Sequence, residues 1–416
     1  MPHGPLEALR CKECRKEYPL EAYYVCEHCF GPLEVDYDFS SLDPDGARRR
    51  IQAGSAGIWR YADFLPFASD APVERGTLEP GLTPLVRADR LGRRLGLENV
   101  WVKNDAANPT HSFKDRVVAV ALAKARELGF ETVACASTGN LANAVAAHAA
   151  AAGLDSFVFV PADLEEQKLL ATDVYGTRLV GVNGNYDDVN RLCTELADAR
   201  PWAFVNVNLR PYYAEGSKTL AYEIAEQLDW QLPDRVVCPI ASGSLFTKIG
   251  RGFSEWLDLG LVNGELPAFN GAQAEGCSPV ATAYADGQDV CRPQRPETIA
   301  KSLAIGNPAD GPYALDLARS TGGSVESVTD DEIRDGIRLL AETTGIFTET
   351  AGGVTTAVFA KLAEAGTIDP GERVVLVITG EGLKTLDATR EGFQMDEIEP
   401  TLSSFEAVEG SPAVVA

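Results

Sequence analysis

Strand-sized apolar runs alternate with amphipathic helices over most of this chain, and that alternation leaves few folds open to it. Thr132–Ala136 reads as a buried strand, 137–140 as a turn, and the helix that follows carries Leu141, Val145, Ala146 and Ala149 on one face. Phe157–Val160, a helix over 164–175, Arg178–Val182 and a helix over 187–199 continue the rhythm. It resumes with a helix over 216–228, Arg235–Pro239, a turn over 240–245 and a helix to about Leu259. The helices 332–344 and 353–365 and the strand Arg373–Ile378 complete it. Apolar strands each followed by a helix imply mostly parallel sheets covered on both faces, with ligands beyond the carboxyl ends of the strands. A length of 416 residues exceeds what one compact core usually holds. The expectation is α/β: two domains with a central cleft, the smaller over 106–210 and the larger from 41–105 and 211–400. Residues 401–416 show no periodicity and read as a poorly ordered tail.

Ahead of this body, residues 1–40 have a different character. Cys11-x-x-Cys14 and Cys26-x-x-Cys29 each sit in a turn flanked by short extended runs. Paired motifs of this kind, with no secretory signal pattern at the start, read as a structural zinc site. Four thiolates can close the tetrahedron that zinc prefers, so the segment resembles a zinc ribbon with Cys11, Cys14, Cys26 and Cys29 as ligands. The remaining five of the nine cysteines are scattered and read as small buried apolar residues.

The formal net charge is -24, which argues against nucleic acid as a partner while leaving room for a local basic cleft. No apolar run is long enough to cross a bilayer, so no membrane partner is expected and the chain reads as cytoplasmic.

Chemistry concentrates at Asn108-Pro-Thr-His-Ser-Phe-Lys114-Asp-Arg116, where a lysine stands at the mouth of a helix whose apolar face runs to Leu128. The stretch resembles the cofactor-lysine motif of the threonine synthase group of fold-type II pyridoxal phosphate (PLP) enzymes, with His111 at a position usually occupied by glycine. Further segments carry the same resemblance. Gly81-Leu-Thr-Pro-Leu85 is similar to the turn that opens such catalytic domains. Ser137-Thr138-Gly139-Asn140 resembles the loop whose asparagine donates to the cofactor's ring oxygen, with Ser137 and Thr138 facing substrate. Ala241-Ser242-Gly243-Ser244-Leu245 stands where the cofactor phosphate is cradled. Thr379-Gly-Glu-Gly-Leu-Lys384 resembles the strand end whose Thr379 hydroxyl meets the pyridine nitrogen. Glu349-Thr-Ala351 is similar to a turn that opens a helix beside the cofactor. Finally, Asn206 to Thr219, with Asn208 and Arg210 inside it, resembles an N-P-x-R-x-x-G-x-K-T segment that contributes to substrate phosphate binding. Gly216, Lys218 and Thr219 match directly, and Arg210 is displaced towards the N-terminus.

The resemblance implies a tryptophan-synthase-β-like fold and a Lys114 that holds PLP, then moves the substrate's protons. It implies conversion of O-phospho-L-homoserine and water to L-threonine and phosphate. Asn208, Arg210, Lys218, Ser137 and Thr138 would bind the substrate, and a homodimer is expected. A related β-replacement or elimination enzyme, such as a cysteate synthase or a threonine dehydratase, is the alternative.

Overall fold

A computed structural model describes residues 6–67, 76–137, 139–162, 166–184, 186–391, 393 and 395–409. Its larger sheet has six strands in the spatial order Val325–Val328, Ala268–Ala274, Arg235–Pro239, Arg373–Ile378, Asn99–Asn104 and Leu85–Arg87. All neighbours are parallel except the edge strand Leu85–Arg87, which runs antiparallel to Asn99–Asn104. The smaller sheet is parallel throughout, in the order Arg178–Val182, Asp155–Pro161, Thr132–Ala136, Ala203–Phe204. Both are of the kind that apolar strands joined by helical crossovers require.

Arg235–Pro239 and Arg373–Ile378 are buried along nearly their whole lengths, which is why they read as continuous apolar runs rather than alternating ones. The helix Asp330–Thr344 is set by Thr329, whose hydroxyl accepts from the amide of Glu332 while that glutamate accepts from the Thr329 amide. This reciprocal pair satisfies two backbone donors at the helix start. Leu402–Glu409 is helical, although the sequence there shows no helical period.

The N-terminal segment is a three-stranded antiparallel sheet with Leu6–Cys11 between Glu17–Tyr18 and Leu33–Tyr37. It is no separate bead. Leu9, Leu33 and Val35 share one core with Val117, Val118 and Ala121 of the helix Lys114–Glu127, and with Val133 of the smaller sheet. The same helix is clamped on another side by charge. Arg116 is fully buried, with Nε 2.6 Å from Asp105 and Nη1 2.5 Å from Glu223, and Lys103 Nζ lies 2.7 Å from Glu223. Asp115 accepts from the amide and hydroxyl of Thr110 at 2.8 and 3.0 Å and lies 2.9 Å from His148 Nε2. Thus the two residues after Lys114 lock the turn and the helix that present it.

Candidate active site

Lys114 opens a 14-residue helix, and its amine is enclosed by aromatic groups. Nζ lies 2.9 Å from the Tyr213 hydroxyl, 4.5 Å from the centre of the Phe113 ring and 5.6 Å from that of Tyr213. Among the described residues no carboxylate forms an ion pair with it, so the amine is not consumed by a structural salt bridge.

The turn before it is tied to the end of the strand Arg373–Ile378. The Phe113 amide donates to the Thr379 carbonyl at 2.9 Å, and Ser112 bridges Gly380. His111 takes φ +61°, in the left-handed region where a side chain costs energy and glycine does not. That conformation is the physical reason a glycine suits the position. Ser112 Oγ, two residues before the lysine, is buried with no hydrogen-bond partner among the described residues.

Asn140 begins the helix Asn140–Ala152, and its amide nitrogen donates to Glu349 at 2.9 Å while its oxygen accepts from Lys384 Nζ at 2.8 Å. This pattern fixes which way the amide faces. Thr379 Oγ1 donates to the other Glu349 oxygen at 3.3 Å. Burial pushes the Glu349 carboxyl up, and burial draws the Lys384 ammonium down. Lys384 and Glu349 appear in the motifs without an evident role. Their chemistry becomes visible only when 30 to 240 residues of intervening chain are folded.

The loop 241–245 leads into the 15-residue helix Ser244–Asp258, whose N-cap Gly243 offers no side-chain cap, so that only the Ser242 hydroxyl, at 3.5 Å, accepts from the first amide, of Ser244. Gly243 has φ +92°, and a Cβ there would come within 2.8 Å of the Asp310 carbonyl oxygen. Only glycine fits, and the result is a free helix N-terminus flanked by Ser242 and Ser244, suited to an anion. Ala241 and Leu245 frame this turn. Arg210 reaches it through Asp310: guanidinium to carboxylate is 2.8 Å, and the Asp310 amide donates to the Ser242 carbonyl at 2.8 Å.

The other sequence-derived residues distribute unevenly. Ser137 lies at the strand end with its hydroxyl 3.4 Å from the Gly139 amide, and an added Cβ at Gly139 would face open space. Thr138 lies outside the described residues. Asn208 is spent locally, accepting from the Phe204 amide at 2.8 Å and donating to the Trp202 carbonyl at 3.1 Å. Lys218 lies inside the protein. It is fully buried, 2.7 Å from Glu215 and 3.0 Å from Glu255, with its ammonium 4.2 Å above the Tyr37 ring. Its charge is paired with two carboxylates inside the protein.

The donor set fits PLP: a primary amine free of ion pairs, an uncapped helix start for a phosphate, a threonine hydroxyl and an oriented amide. The match to the family described as pyridoxal-phosphate dependent enzyme covers residues 77–380. The chain belongs to that family. The threonine synthase of Methanocaldococcus jannaschii is 40% identical over 91% of this chain and 93% of its own length. The threonine synthase of Methanosarcina acetivorans is 40% identical over 90% and 92%. Solved structures share the fold at lower identity. The processed form of threonine deaminase isoform 2 from Solanum lycopersicum has a TM-score of 0.63 at 18% identity, covering 94% of this chain and 99% of that one. An L-serine ammonia-lyase from Rhizomucor miehei has a TM-score of 0.63 at 22% identity, covering 76% and 99%.

The N-terminal cysteines form a second centre. The Sγ atoms of Cys11, Cys14, Cys26 and Cys29 all lie within 4.8 Å of one another, with Cys11–Cys29 at 3.5 Å and Cys14–Cys26 at 3.6 Å. Disulfides would be near 2.0 Å, whereas a tetrahedron with ~2.3 Å zinc–sulfur bonds has edges of about 3.8 Å. Burial pushes the Cys26 thiol up, but hydrogen bonds from Tyr18 and from the His28 and Cys29 amides outweigh it and bring the thiol down to about 6.

Proposed function

We propose that this chain catalyses the threonine synthase reaction, converting O-phospho-L-homoserine and water to L-threonine and phosphate. The observation that carries the reading is 40% identity to the Methanocaldococcus jannaschii threonine synthase across more than nine-tenths of both chains. The cleft supports it. PLP, once bound, supplies an electron sink that makes the substrate's Cα and Cβ protons acidic.

This chain's residues do the rest. Lys114 holds the cofactor and, as a free amine, moves protons at the substrate carbons. Asn140 presents its amide to the ring, in an orientation fixed by Lys384. Thr379 offers a hydroxyl rather than a carboxylate to the ring nitrogen, which favours elimination and replacement over transamination. The amides of Gly243, Ser244 and Leu245, framed by Ala241 and Ser242, take the cofactor phosphate. Ser137 and Thr138 face the substrate, and Arg210, beside the phosphate loop, meets its phosphate.

No helix among the described residues is long and apolar enough to cross a membrane. Structural zinc at Cys11, Cys14, Cys26 and Cys29 belongs to the same proposal, and metal analysis of purified protein should find one zinc per chain. An ordered ribbon without metal would refute that assignment. A homodimer, implied by the resemblance, and a cytoplasmic setting, read from the sequence, are checked by light scattering and cell fractionation.

The central test compares wild type with Lys114→Ala. Wild type should release threonine and phosphate from phosphohomoserine, and phosphoserine run alongside should react far more slowly. Lys114→Ala should lose the visible absorbance of the bound cofactor and all measurable turnover. Comparable turnover in that variant would remove Lys114 from the mechanism.

A further inference from the structure

The Tyr213 hydroxyl accepts a hydrogen bond at 2.9 Å from Lys114 Nζ, the amine that does the chemistry. Neither the lysine motif nor any loop of the site contains it. Its position is built by a helix crossing. Gly216 packs against the helix Lys114–Glu127 so tightly that a Cβ there would fall 2.6 Å from both Arg116 O and Val117 Cα. One turn back from that contact along one segment is Tyr213, and one turn back along the helix it meets is Lys114.

The short helix Arg210–Glu215 that carries Tyr213 is pinned at both ends. Arg210 is bound to Asp310 at 2.8 Å, and Glu215 is bound to Lys248 at 2.7 Å and Lys218 at 2.7 Å. The phenol is therefore placed by rigid structure and is not a side chain adrift in the cleft.

Counting back from Gly216, the arginine of the segment this stretch resembles falls on Tyr213. A second cation beside the Lys114 amine would oppose its protonation, and a neutral phenol does not. Arg210 lies three residues earlier, on the same face of the helix, so the cation has moved one turn away from the lysine and towards the phosphate loop.

We propose that Tyr213 is the orienting partner of Lys114 during proton transfer. Resting on the reading of Lys114 as the cofactor-bearing lysine, the role is as follows. The free amine takes a proton from the substrate carbon, and the bond to carbon leaves its electron pair with the substrate. The ammonium so formed donates one N–H to the Tyr213 oxygen. Its other hydrogens point back at the substrate for delivery to the next carbon. Tyr213 keeps its own proton throughout, so it directs the transfer without exchanging hydrogen.

Tyr213→Phe retains the ring and removes only the hydroxyl. In the holoenzyme, cofactor content should stay at one per chain and KM for phosphohomoserine should stay within about twofold. The kcat should fall by roughly ten- to a hundredfold, the range of one hydrogen bond to a charged group. Without substrate, the pH midpoint of the bound cofactor's visible absorbance should also move, which loss of mere packing would not cause. Incorporating 3-fluorotyrosine at Tyr213, a weaker acceptor, should give an intermediate kcat.

Unchanged kcat and an unmoved midpoint in Tyr213→Phe would overturn the proposal. So would loss of cofactor from that variant, which would make Tyr213 part of the cofactor's own binding site. A wild type that makes no threonine defeats the functional reading instead, and the substrate-free absorbance midpoint still decides the role of Tyr213.

Discussion

Lys218 shows how far one residue can be read before the chain is folded. In sequence it is a lysine in a phosphate-binding segment, flanked by matching glycine and threonine. In space it is the hub of a buried cluster with Glu215, Glu255 and the Tyr37 ring, of which only Glu215, three residues earlier, is within reach of local sequence reading. Removing one partner of such a pair leaves an uncompensated buried charge. Lys218→Met should therefore lower unfolding stability by roughly 3–5 kcal/mol. Folded Lys218→Met enzyme, compared below its melting temperature, should keep a KM for phosphohomoserine close to wild type. A selective rise in KM without loss of stability would restore the lysine to the substrate site. Lys114 is the opposite case. Its motif is local, its partners in the turn lie within five residues, and its place at a helix mouth was legible at once. Tyr213 was not, because its pairing with Lys114 depends on a helix crossing between segments about a hundred residues apart.

At the scale of elements, legibility tracked burial. Thr132–Ala136, Arg235–Pro239 and Arg373–Ile378 have the same bounds in sequence and structure, since a strand buried between helices is an unbroken apolar run ended by turn residues. Boundaries slipped where local signals compete. The helix expected over 216–228 begins with a tight turn at Gly216–Lys218 before Thr219–Gln227, because Gly216 must sit flush against Arg116 and Val117. Leu402–Glu409 is helical without an apolar stripe, so no hydrophobic period could announce it. The two cysteine knuckles were legible from spacing alone. Spacing did not disclose that the ribbon's strands would share a core with the lysine helix, or that Glu34 would lie 3.2 Å from Lys248 on the phosphate-loop helix. The ribbon is thereby tied to the helix at whose start the cofactor's phosphate is proposed to sit.

For the whole molecule, two electrostatic terms run in opposite directions with pH. The formal net charge of -24 and a pI near 4.6 mean that surface repulsion weakens as pH falls from 7 towards the pI. Inside, buried lysines and arginines oppose the cost of burial and hold Glu34, Glu215 and Glu223 down at about 2, against an ordinary value of 4.5. These carboxyls bind protons more readily in the unfolded chain. Their contribution is complete above about 4.5 and is lost as pH falls towards 2, on the order of a few kcal/mol each. Mild acid should therefore leave stability level or slightly raised, and the network should decide the outcome below pH 4.5. Urea midpoints measured from pH 7 to pH 3 should show a plateau followed by a steep fall. Added salt should raise the midpoint at pH 7, where repulsion is largest, and matter less near the pI. Glu223→Gln tests the assignment of the fall: it removes a titrating partner of Arg116 and Lys103, so the variant should be less stable at pH 7 and show a shallower acid slope. An acid slope equal to that of wild type would place the acid-sensitive groups elsewhere than around Arg116.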